Sequence, residues 1–128
     1  MRKLAFLLPV FALAACAPTA GVPPVRYVGQ SADIIAAISQ VCTQVQPSKT
    51  YNFYTVDAIS NNGVTCVAKP LVALQILGAN SPIRVTFTAL QNGNVVNVAG
   101  SVDGANGSGR ILVDEVFAQL SKTYQRAP

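Results

Sequence analysis

The sequence predicts a small α+β domain, an antiparallel sheet of about four strands built from two hairpins, with two amphipathic helices packed on one face. Three observations predict it. Apolar residues recur at helical spacing in two segments, 34–45 and 112–124. Between them, two stretches rich in β-branched and aromatic residues each meet a turn signal, Asn61-Asn62-Gly63 and Asn92-Gly93. The resulting order is helix, hairpin, crossover, hairpin, helix, which is satisfied most economically by helices laid on one face of an antiparallel sheet.

The chain begins with a leader. Arg2 and Lys3 form a positive n-region, and residues 4–15 carry no charge. As a helix that stretch spans about 18 Å, short of a bilayer core of about 30 Å, so residues 1–15 read as a cleaved signal and not as a membrane span. Both Ala12-Leu13-Ala14 and Ala15-Cys16-Ala17 fit the A-x-A pattern of an ordinary secretory signal. The tetrad Leu13-Ala14-Ala15-Cys16 resembles the bacterial lipobox at every position. That resemblance implies a lipoprotein with diacylglycerol on the Cys16 thiol, cleavage before Cys16, and a third acyl chain such as palmitate on the new amino group. Two or more chains anchor stably where one binds only marginally. By the same resemblance, Ala17 in place of Asp favours the outer membrane, with the domain facing the periplasm and the inner membrane as the alternative.

Residues 16–30 read as a flexible tether, since three prolines and two glycines discourage regular structure. A short edge strand over residues 25–28 is the alternative. The folded domain is expected over residues 31–128. Ser31 suits a helix N-cap and Asp33 suits the first turn. Ile34, Ile35, Ile38, Val41, Cys42 and Val45 then form one apolar stripe, which Pro47 ends.

Residues 51–60 and 64–68 form the first expected hairpin, placing Cys66 on its second strand. The second hairpin joins residues 83–91 to 94–102 through Asn92-Gly93. Pairing outward sets Ala89 opposite Val96, Phe87 opposite Val98, Val85 opposite Gly100 and Ile83 opposite Val102, all on the core face. The other face receives Arg84, Thr86, Thr88 and Leu90 with Val95, Asn97, Ala99 and Ser101, so threonine and asparagine, and some tyrosine, are expected on an exposed face. A one-residue slip would destroy this sorting. Residues 70–78 suit a short buried helix, with proline first and glycine last, and equally a central strand; an irregular crossover with some helix is expected. Leu112, Val113, Val116, Phe117, Leu120 and Tyr124 make the last helix. Asp114 and Glu115 fall near its start, and Lys122 and Arg126 near its end, as the dipole prefers.

Composition limits the chemistry. Nine Lys and Arg face five Asp and Glu, a balance of +4 that falls to +2 without Arg2 and Lys3. The remaining charges are scattered, with no basic run, so nucleic acid is not an expected partner. No histidine is present, so Ser-His-Asp and Cys-His catalysis is impossible and zinc lacks its usual ligands. Asp114 and Glu115 are adjacent and point about 100° apart on a helix, which does not make a carboxylate pair. No catalytic, metal or cofactor-binding residues are expected, and the protein reads as a non-enzyme.

Asp103-Gly-Ala-Asn-Gly-Ser-Gly109 lacks the Lys-Ser/Thr of a P-loop and the alternating acids of an EF-hand. It reads as a loop feeding the last helix, with an anion beside Arg110 as the alternative. Tyr51, Phe53 and Tyr54 read as packing residues, with a ligand platform as the alternative. Once lipidation takes Cys16, Cys42 and Cys66 remain as an even pair suited to a disulfide in an oxidising compartment. Two buried free thiols are the competitor.

Ile83-Arg-Val-Thr-Phe, Asn92-Gly-Asn-Val-Val-Asn-Val-Ala-Gly100-Ser-Val102 and the helix after them resemble a BON repeat over residues 83–125, without the glycine-valine segment that ends that module. The resemblance implies an envelope module associated with phospholipid or cell wall. By architecture, the layout is also similar to small outer-membrane assembly lipoproteins. The expected function is a non-catalytic binding or scaffolding module for another envelope protein, held to membrane lipid through acylated Cys16. The alternative is a lipid or small-ligand carrier with a groove between sheet and helices.

Overall fold

Alternating apolar residues on the central strands press one face of a twisted antiparallel sheet against two helices. The computed structural model describes residues 22–78, 81–103 and 108–128. The leader, Cys16, Ala17 and residues 104–107 of the glycine-rich loop lie outside these. In chain order the elements are β1 (Val22–Val28), α1 (Ser31–Cys42), β2 (Thr55–Ile59), β3 (Gly63–Ala68), α2 (Val72–Ile76), β4 (Ile83–Asn92), β5 (Val95–Val102) and α3 (Ser108–Thr123). The sheet runs β1-β5-β4-β3-β2, with every neighbouring pair antiparallel. The α+β class is as expected, but the described residues hold five strands and three helices where about four and two were expected.

The added strand is β1, drawn from the stretch assigned to the tether. Tyr27 explains why it docks. Its ring is fully buried in the core, and its hydroxyl lies 3.1 Å from Ser121 Oγ on α3. Burying one aromatic side chain contributes about 2–3 kcal/mol, which offsets the ordering of about two residues; the ladder to β5 and the lower chain entropy at Pro23 and Pro24 supply further stabilisation. The folded unit therefore includes Val22 and not only Ser31 onward. On its outer edge, β1 meets the last residues of the chain, where the Val28 amide donates to Gln125 O at 2.8 Å and the Ala127 amide to Arg26 O at 2.8 Å.

The second hairpin forms with its faces as expected and its register corrected. Asn92 pairs with Val95, so the turn residues are Gly93 and Asn94 and not Asn92-Gly93. Gly93 adopts φ +66°, the left-handed backbone that a two-residue hairpin turn requires at its first position. Phe87 consequently faces Gly100, Val85 faces Val102 and Ala89 faces Val98. The displacement moves each partner by two residues, which keeps every side chain on its predicted face. Gly100 favours this register because a Cβ there would stand 3.0 Å from the Phe87 ring, which lies over the glycine.

In α1 the buried residues are Ile34, Ile35, Ile38, Val41 and Cys42. Gln30 is the N-cap residue and makes no side-chain cap, so Ser31 begins the helix and does not cap it. The helix also stops at Cys42, five positions before Pro47, while Val45 still packs on the core. α3 begins earlier than expected, at Ser108, so Asp114 and Glu115 fall in its middle. Arg110 Nε donates to Asp114 Oδ1 at 3.1 Å and Gln119 Nε2 to Glu115 Oε2 at 2.9 Å, local i,i+4 contacts in place of a dipole role. Lys122 does lie in the last turn, while Arg126 lies beyond it, bridged to Tyr27 on the β1 edge.

β2 is shorter than the expected strand over residues 51–60. Tyr54 turns into the core, and Tyr51 makes a separate bridge to Pro70. Cys42 and Cys66, both fully buried, stand with their sulfurs at bonding distance and their Cα atoms 6.3 Å apart. This disulfide staples α1 to β3.

Candidate interaction surfaces

Among the described residues, two surfaces stand uncovered, and each follows from strand alternation and chain direction. Both long helices lie on one side of the sheet, so the opposite side stays open. It presents Thr65 of β3, Thr86, Thr88 and Leu90 of β4, and Asn97, Ala99 and Ser101 of β5. Thr65 Oγ1 and Thr86 Oγ1 lie 3.4 Å apart across the strands. Leu90 is 53% exposed at the turn end of this face. Arg84 occupies the other end, donating to Asp57 Oδ2 at 3.1 Å with Asp103 Oδ2 at 3.9 Å. Threonine and asparagine line the face as the alternation predicts. The tyrosines do not join it, since Tyr27 and Tyr54 are buried on the helix side.

The second surface is α2. Leu71-Val72-Ala73-Leu74-Gln75-Ile76-Leu77, apolar except for Gln75, lies in the 70–78 stretch, whose sequence suits a buried helix or a central strand, with an irregular crossover containing some helix expected. The structure makes its centre a short exposed helix. None of the α2 residues is buried, and Val72, Ile76 and Leu77 are 68%, 79% and 80% exposed. The backbone is nonetheless well held. Pro70 is buried, the Leu71 amide donates to Thr50 O at 3.0 Å, the Asn52 amide to Lys69 O at 2.9 Å, and Gln75 Nε2 to Pro70 O at 2.6 Å. Gly78, at φ +100°, ends the turn, with its amide donating to Gln75 O at 3.0 Å. Apolar side chains are thus presented on a fixed loop. Lys69, two residues before Leu71, and Lys49, next to the Thr50 that accepts the Leu71 amide, are exposed near its base and make no ion pair among the described residues.

Among the described residues, the interior between sheet and helices is filled by side chains. Between sheet and helices, Ile34, Ile38, Leu112, Val116 and Leu120 interlock with Val85, Phe87, Val96 and Val98, each fully buried or nearly so. Openings lie on the outside. One of about 310 Å³ runs between the start of α1 and the β2–β3 turn, lined by Ala32, Ile35, Ala36 and Ile59. Another of about 240 Å³ lies over β2 to β4. Both are open to solvent.

Among the described residues, no group of three or more His, Cys, Asp or Glu stands close enough to hold a metal ion. No described helix is long and apolar enough to cross a membrane. Tyr54 is the outlying titratable group. Burial first, and the neighbouring Tyr51 second, push its phenol up to about 12, and its hydroxyl is buried with no hydrogen-bond partner among the described residues. Burial, with a smaller effect of Asp33, also raises Tyr124 above the usual tyrosine value.

Of the residues singled out from sequence, Cys42 and Cys66 come together and Cys16 lies outside the described residues. Tyr51, Phe53 and Tyr54 do not share a face: Tyr54 is in the core, the Tyr51 hydroxyl donates to Ser81 O at 3.2 Å, and Phe53 is 51% exposed. Arg110, the candidate anion ligand, is engaged by Asp114. Sequence reasoning missed Gln91, whose Oε1 accepts the Ser31 amide at 2.6 Å while Nε2 donates to Gly29 O and Gly93 O at 2.9 Å each. It also missed the Arg84 cluster. Only a correct hairpin register could have pointed to either. Comparison of the chain with protein-family models, curated proteins and solved structures finds no match.

Proposed function

We propose that the protein is a membrane-anchored lipoprotein of the outer membrane, facing the periplasm, that serves as a non-catalytic binding or scaffolding module for another cell-envelope protein. The observation that carries this reading is the open sheet face. Five strands at about 4.8 Å spacing make a face roughly 20 Å wide, suited to one side of a modest protein interface. Its threonine hydroxyls and Asn97 amide offer hydrogen bonds, and Leu90 and Ala99 offer apolar contact. The Cys42–Cys66 staple ties α1 to β3 behind this face, which limits the ordering cost of binding. The filled interior between sheet and helices supports binding on the surface over carriage of a ligand inside. Lipid on Cys16 would keep the module at the leaflet and raise its effective concentration for a partner in the same membrane.

The test is a photo-crosslinking amino acid at Thr88, in the middle of the open face, activated in intact cells and followed by mass spectrometry. Repeated recovery of one envelope protein is expected. Recovery of lipid alone, or of no adduct, overturns the scaffolding role. Separately, Cys16→Ser should release the protein from membranes, and unchanged membrane retention overturns the anchor.

A further inference from the structure

The apolar surface at α2 has a fixed relation to the point where the chain enters the fold. β1 runs antiparallel to β5 with Val22 level with Gly100. Val22, the first residue of β1, therefore lies toward the end of the sheet where β5 finishes at Val102, β4 begins at Ile83 and β3 finishes at Ala68. α2 follows β3 at that same end. Gly100 pairs with Phe87, and Ala68 with Ile83, four positions farther along β4. Along the strands, Ala68 thus stands about 14 Å farther out than Val22.

Cys16 precedes Val22 by six positions, and a chain of that length spans about 20 Å at full extension. A lipid anchor on Cys16 therefore reaches at most about 6 Å beyond the level of Ala68, at the end of the sheet that carries α2. With that end of the sheet turned to the leaflet, so short a reach leaves α2 at the membrane surface. The side chains that arrive there are Val72, Ile76 and Leu77, more than two-thirds exposed, with Lys49 and Lys69 at the base. The amides of Leu74, Gln75, Leu77 and Gly78 are already bonded within the turn, so an apolar environment leaves them satisfied. Apolar side chains above and unpaired lysines below match acyl chains beneath anionic headgroups.

We propose that Val72, Ile76 and Leu77 insert into the interfacial layer of the leaflet that holds the lipid anchor, fixing the domain at two points. The occupant of this surface is lipid. The strands then meet the bilayer end-on, and the open sheet face stands upright beside the membrane, accessible to a partner. This rests on the lipoprotein reading.

The chain contains no tryptophan, so Leu77→Trp introduces a single reporter at a position 80% exposed, where the fold tolerates it. The full lipidated protein carrying this change is reconstituted in vesicles of phosphatidylethanolamine with a minority of phosphatidylglycerol. The expected result is emission shifted to shorter wavelength, quenched by acyl-brominated lipid and protected from iodide. Leu90→Trp, seven positions along β4 from Ile83, is the control and should remain accessible to iodide. Protein that floats with the vesicles while Leu77→Trp emits as in water overturns the insertion and leaves the anchor standing. Protein that fails to float overturns the anchor and the insertion with it. A shift seen in native membranes but not in these vesicles identifies a protein occupant and also overturns the proposal.

Discussion

Two buried tyrosines show how differently one residue type is used. Tyr27 has its hydroxyl beside Ser121 Oγ and 3.4 Å from Phe117 O, so its polar end is satisfied. Tyr54 is as deeply buried, but its hydroxyl has no partner among the described residues. An unsatisfied buried hydroxyl costs about 1–3 kcal/mol, so Tyr54→Phe should leave stability at neutral pH unchanged or raise it by about 1 kcal/mol in urea unfolding. The same residue sets an alkaline limit. The folded phenol keeps its proton up to about 12, while the unfolded one loses it near the ordinary tyrosine value of 10.0. Its contribution is therefore complete below pH 10 and is lost as pH rises from 10 toward 12. Wild-type protein should lose up to about 2–3 kcal/mol of stability in that window, and Tyr54→Phe should lose markedly less. Equal losses in both proteins would show that Tyr54 does not set the limit.

At the level of elements, the β4–β5 hairpin and the start of α1 depend on each other through Gln91. Its side chain satisfies the orphan Ser31 amide at the helix start and ties the Gly29 and Gly93 carbonyls to the same point. A long-range glutamine thus does what a local N-cap does elsewhere. Gln91→Ala should destabilise by about 1–2 kcal/mol. Native-state hydrogen exchange should show faster exchange of the Ser31 and Ala32 amides, with little change in the β3–β4 ladder. Uniform acceleration across the sheet would contradict this local role. The faces of the hairpin were legible in the sequence because period-two alternation survives any even displacement. Its turn was not, because Asn92-Gly93 and Gly93-Asn94 both satisfy turn chemistry. Pairing of Val28 with Val95 and the fit of Phe87 over Gly100 decided between them.

At the level of the whole molecule, a small sheet has to protect two edges and hold its helices. β1 is covered along its edge by residues 125–127. β2, at the other edge, is short, bulged between Val56 and Ala58 and carries Asp57, features that discourage edge-to-edge pairing. The Cys42–Cys66 bond closes a loop of sequence separation 24 between the first helix and the sheet. Replacing both residues, Cys42→Ala with Cys66→Ala, should cost about 3 kcal/mol, read as a lowered urea midpoint that added dithiothreitol does not lower further. Wild-type protein should fall to a similar midpoint when reduced. No change in midpoint on reduction would mean that the staple carries no stability.

The sequence by itself determined the α+β class, the helical stripes of α1 and α3 and the two faces of the β4–β5 hairpin, and it offered the pairing of Cys42 with Cys66, with two free thiols as the alternative that the structure set aside. Each is written in local periodicity or in the arithmetic of residue types, and each survives small errors of boundary. Only the tertiary structure decided that residues 22–28 join the sheet, that α2 lies uncovered, that Gln91 caps α1, and where the hairpin turns. Those outcomes hang on which distant surfaces are already occupied. Tyr27 found space in the core beside α3, whereas the apolar run of α2 lies past the end of β3, on a core already closed by α1 and α3.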